Sequence, residues 1–221
     1  MLEAIFNPEN AFFCFVNKML DLILLSLLWA LCCLPVVTAG AASTALYYAV
    51  VKSVRRQRSY PVREFLRSFR ANLKKGILVH VLCMAFTVMM LYSDVPLFLA
   101  FLDTGKWQDQ ALLVLIALKA LLLLGIPCWL YPLLSRFGEK LPKLAEAALV
   151  MLVRYLPVTC LSLGVLIGAG LLLFWEPLLV AVIPGVATLL LSFLLEPCLR
   201  KLIRQEEVRD GQTDTWYLEK G

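Results

Sequence analysis

Apolar residues gather in runs at 20–37, 41–51, 76–92, 110–131, 158–175 and 178–195, with short polar stretches between them. All but the run at 41–51 reach the ~17–25 residues that a helix needs to cross bilayer hydrocarbon. The run at 41–51 is short, and Leu34-Pro35-Val36-Val37-Thr38-Ala39-Gly40, a helix-breaking stretch, joins it to the first. Residues 20–52 as one straight helix would measure about 48 Å at ~1.5 Å per residue, well over the ~30 Å hydrocarbon core. A hairpin turning near Thr38-Ala39-Gly40 is therefore expected. That gives six helices with both termini on one side; one broken helix in its place would give five.

Charge in the connections alternates. Residues 52–75 carry nine basic residues and one acid, Glu64. Residues 94–109 carry three acids and one lysine, Lys106. Residues 132–156 are again basic, with Arg136, Lys140, Lys143 and Arg154 against Glu139 and Glu146. Trp175-Glu176-Pro177 has no basic residue, and Arg200, Lys201 and Arg204 follow the last run. Short loops rich in Lys and Arg stay cytoplasmic. The expected fold is thus an all-α polytopic membrane bundle of five to six transmembrane helices, with cytoplasmic amphipathic helices and a cytoplasmic C-terminus. Residues 1–205 form a single membrane domain and residues 206–221 a polar tail.

Composition supports this. Of 221 residues, 61% are hydrophobic and 17% charged, against about half and a quarter in soluble domains. So short a chain cannot hide that surface in one soluble core. The formal net charge of +5 lies beside apolar runs, so anionic lipid headgroups and the bilayer are the expected partners, and nucleic acid is not. Ala39-Gly40-Ala41 looks like a signal-peptide cleavage site, but the first ten residues hold Glu3 and Glu9 and no Lys or Arg, which argues against cleavage. The seven cysteines include no CxxC and sit in or beside apolar runs, so no metal or disulfide framework is expected.

Two basic segments have helical periodicity. Val62, Phe65, Leu66, Phe69 and Leu73 form one face, and Arg63, Arg67, Arg70 and Lys74 fill the other. Pro61 suits the first turn of such a helix. This is the pattern of a helix lying at a membrane surface or docking a partner. Residues 142–155 repeat it more weakly.

Lys119, in the middle of the run 110–131, is the sharpest anomaly. A charge at that depth costs roughly 2.5–3.5 kcal/mol on insertion scales. It calls for a partner facing the bundle: Asp94, Glu176 or backbone near Thr38. The break from Pro35 to Gly40, with Thr38 and Thr44 beside it, is a second candidate polar site, because freed backbone groups in a membrane need partners. Its plainer reading is a tight turn packed through Gly40. His80 reads as a packed or interfacial residue, and Glu196 as a local i,i+4 partner of Arg200. No HExxH, GxSxG or GxxxxGK[ST] occurs. No catalytic residue, cofactor or enzymatic activity is expected.

Residues 17–75 combine Asn17, Asp21, Leu28-Trp29 and Leu34-Pro35-Val36-Val37-Thr38-Ala39-Gly40-Ala41-Ala42-Ser43-Thr44-Ala45-Leu46-Tyr47-Tyr48 with a basic turn, Phe65, Phe69, Arg70 and Asn72. With Tyr131-Pro132-Leu133-Leu134-Ser135-Arg136-Phe137 further on, the chain resembles the YesL-like family, domain of unknown function 624. The resemblance implies a bacterial inner-membrane protein whose relatives lie in gene clusters for carbohydrate uptake and breakdown. The expected function is an accessory or regulatory role beside a sugar permease or other membrane subunit. The alternative is a small transporter with its site at Lys119 and the helix break.

Overall fold

The computed structural model describes residues 11–56, 60–104, 108–137 and 140–210, which are helical or in turns. The helices are α1 (Ala11–Cys32), α2 (Ala39–Ala49), α3 (Pro61–Thr104), α4 (Gln108–Leu134), α5 (Leu141–Arg154), α6 (Leu156–Trp175) and α7 (Ile183–Asp210). Among the described residues, five of them are long and apolar enough to cross a membrane: α1, α3, α4, α6 and α7. Helix α2 is a shorter, buried sixth rod, extended by the π-helical stretch Val50–Arg55.

The break after α1 is a turn. Pro35 leads into a single 3-10 turn, Val36–Thr38. The Thr38 hydroxyl donates to the Cys32 carbonyl at 2.5 Å and the Pro35 carbonyl at 2.7 Å, filling acceptors that the end of α1 leaves open. The chain then doubles back. Trp29 Nε1 donates to Ser43 Oγ at 3.2 Å, and Leu22 and Leu25 pack with Ala45, Ala49 and Val50. Helix α2 runs antiparallel to α3 in turn, with Gly40 beside Gly76 and His80 and Lys52 beside Glu64. A Cβ on Gly40 would stand 2.5 Å from the Gly76 carbonyl oxygen, and one on Gly76 would stand 2.6 Å from Ala41 Cα. The two glycines therefore let the backbones touch, the usual role of small residues between membrane helices.

Helix α3 corrects two expectations. The basic amphipathic segment and the apolar run 76–92 are one helix of 44 residues, which also continues through residues 94–104. At ~1.5 Å per residue it is about 66 Å long. Pro61 opens it without loss, no breaker divides Lys75 from Gly76, and Pro96 comes too late to stop it. The first half does not lie on the membrane by its apolar face. Phe65 is fully buried against α1 and α2, and Phe69 stacks on it with centroids 6.2 Å apart. Farther along α3, Val88 (63% exposed) and Tyr92 (86%) face outward.

Helix α5 is docked as well: Leu144, Ala148, Met151 and Leu152 are buried, in a cluster shared with Trp129 and Leu133 of α4. Only Tyr155 (φ −119°, ψ 41°) separates α5 from α6, because Pro157 disfavours a continued helix just before it. Helix α7 runs past the expected domain edge at 205, and residues 211–221 of the expected tail lie outside the described residues.

Candidate functional site

Lys119 Nζ meets Asp94 Oδ1 at 2.7 Å, across the antiparallel pair α3 and α4. Of the three partners considered for it, Asp94 is the one in reach. Asp94 also accepts from the Ser93 hydroxyl at 3.0 Å. Helical continuation beyond Tyr92 is what places this carboxylate opposite the lysine. Glu176 instead ends α6 in an exposed, extended conformation. Thr38 serves the turn, and Thr44 Oγ1 donates to the Gly40 carbonyl at 2.9 Å within α2. Lys119 and the helix break therefore do not share a site. His80 Nδ1 lies 3.2 Å from the Tyr131 hydroxyl, linking α3 to α4.

The basic face of α3 is a real surface. Arg63, Leu66, Arg67 and Arg70 line a shallow concavity of about 470 Å³, with Lys74 exposed one turn on. Glu64, the single acid of the segment, turns the other way: it is buried and holds Lys52 at 3.0 Å. Burial works to lower the pKa of Lys52, but hydrogen bonds to Tyr48 and Glu64 outweigh it and raise the pKa. Phe65, expected beside the arginines as a contact residue, is in the core and unavailable to a partner.

The structure also brings together charges that lie far apart in the chain. Arg136 and Glu196 form an ion pair, 2% and 1% exposed. The Tyr47 hydroxyl donates to Glu196 Oε1 at 3.2 Å, and the Arg136 guanidinium lies over the Tyr47 ring. Arg55 Nη1 donates to the Ser192 carbonyl at 2.6 Å and sits over Phe193. The i,i+4 pairing of Glu196 with Arg200 is the lesser contact, at 4.0 Å. The basic stretches after α2 and α4 and within α7 thus converge at one end of the bundle. Arg136 was legible as a basic connection residue and as part of Tyr131-Pro132-Leu133-Leu134-Ser135-Arg136-Phe137, and neither reading pointed to Glu196. The π-helical stretch that swings Arg55 inward has no sequence signature.

Beside this cluster is a cavity of about 360 Å³ between α2, α4, α6 and α7. Ser43, Tyr47 and Tyr131 are among its lining residues, and Leu, Ile, Pro and Cys128 supply the rest of the wall. No charged residue lines it, and Lys119 is not part of it.

Residues 22–95 match the model of a family described as protein of unknown function, DUF624, which is the YesL-like family, so the resemblance holds over that segment. No curated protein and no solved structure matches the chain.

Proposed function

We propose, taking the DUF624 match over residues 22–95 as premise, that this chain is a multi-pass cell-membrane protein with its basic end in the cytoplasm. Its role is that of a non-enzymatic accessory or regulatory subunit in carbohydrate uptake. One observation carries the choice over a transporter: the intramembrane lysine is paired with Asp94, away from the cavity, while Arg63, Arg67 and Arg70 present a basic surface outside the core. A transport site near Lys119 and the helix break would need these to converge. The basic face suits anionic lipid headgroups and, through them or directly, a membrane partner such as a sugar permease subunit. The link to carbohydrate rests on the family resemblance.

The test is a deletion strain grown on single sugars and complemented with variants, with gentle solubilisation and co-purification. The triple variant Arg63→Glu, Arg67→Glu, Arg70→Glu is expected to lose both complementation and permease recovery while keeping its membrane level. Full complementation by that variant would overturn the accessory reading. Loss of uptake in Lys119→Leu combined with Asp94→Leu, with permease recovery intact, would favour the transporter.

A further inference from the structure

The cavity between α2, α4, α6 and α7 has a cause in the sequence. Pro127 and Pro132 both line it. Each lacks an N–H, so the carbonyls of Leu123 and Cys128 lose their helical donors on that stretch of α4. Opposite them stand Leu163, Leu166 and Ile167 of α6. At about 360 Å³ the space is over twice the roughly 150 Å³ of an apolar cavity that holds benzene. It also lies within the usual range for small-molecule sites, which are mostly apolar with a few fixed polar groups.

The polar groups are anchored from behind. Ser43 Oγ accepts from Trp29, and among the described residues its own O–H is committed to no neighbour. Tyr47 gives its proton to Glu196. Tyr131 is held by His80. The wall therefore offers one uncommitted donor, the Ser43 hydroxyl on α2. The oxygen of a neutral hydroxyl group can accept from it. A carboxylate or phosphate would find no cation on the wall. A sugar would turn most of its hydroxyls toward Leu, Ile and Pro, with no partners for them.

We propose that this cavity binds one uncharged, chain-like lipid bearing a hydroxyl head, of the long-chain alcohol or acylglycerol class. Its chain lies between α4 and α6, and its hydroxyl oxygen accepts from Ser43. This site is independent of the basic face of α3, so either reading can fail alone.

The test uses the full chain in lipid nanodiscs and hexadecanol carrying a diazirine in its chain, with labelled peptides mapped by mass spectrometry. Label is expected on residues 124–132 and 163–167, and unlabelled hexadecanol should displace it far better than hexadecyl phosphate or maltose. Ser43→Ala should lower labelling roughly tenfold, the weight of one hydrogen bond. Ile167→Trp, at the half-exposed mouth, should lower it with the melting temperature retained. Label spread over outward-facing Leu171 and Leu172 without displacement would overturn the proposal, since it would mark ordinary surrounding lipid. Equal competition by hexadecyl phosphate, or competition by maltose, would also overturn it.

Discussion

Two antiparallel hairpins in this molecule are both apolar, and they meet opposite surroundings. In the hairpin of α1 and α2, Ala41, Ala42, Ala45 and Ala49 have no exposed surface, and Gly40 touches α3 through its backbone. In the outer hairpin of α3 and α4, Met84, Phe86, Val88, Met89, Leu115 and Leu118 are exposed. Hydropathy alone does not separate them; residue size does. Lipid tails are as apolar as leucine, so association between membrane helices is governed by close approach and by polar contacts. Small residues give that approach to α2, and bulky ones keep the outer hairpin facing outward.

The contrast can be broken by mutation. The largest effect is expected where charge is buried beside α2. Glu196→Ala removes the partner of Arg136 and of the Tyr47 hydroxyl, and should cost about 3–5 kcal/mol. Thermal unfolding in detergent measures it, and a shift no larger than that of Val88→Ala would show that the cluster does not hold the bundle. Next comes Gly76→Ala, whose methyl has no room beside Ala41; overpacking of this kind costs about 1–3 kcal/mol. Val88→Ala, on the exposed side of the same helix, should stay within about 0.5 kcal/mol. Equal effects at the two positions would erase the distinction between the hairpins. The smallest net effect is expected of the double variant at the outer hairpin's own ion pair. Lys119→Leu and Asp94→Leu should each lower the melting temperature, and the two together should recover most of the loss. Additive losses would mean that the pair is not coupled.

How much was legible in the sequence varies with the range of the interaction. The apolar runs, the alternation of loop charge and the turn near Thr38 were legible, because each depends on neighbours within a few residues. The need of Lys119 for a partner was legible too, with Asp94 among its candidates. The boundary at Tyr92 was misread: the apolar run ends there and 94–109 reads as an acidic connection, yet α3 continues to Thr104, since a single Pro96 removes only one hydrogen bond. Phe65 was read as a contact residue because helical periodicity shows which residues share a face and not what covers that face.

Composition and apolar spacing by themselves determined the all-helical class and the helices long and apolar enough to cross a membrane. Those properties follow from apolar runs and the pairing of backbone within a helix, which local sequence sets. Only the tertiary structure decided that Tyr47, Arg55, Arg136 and Glu196 meet, that α2 packs through its glycine and alanines, and that two prolines of α4 border a cavity. Those outcomes depend on which helices cross and how closely, and that distance is fixed by side chains far apart in the chain.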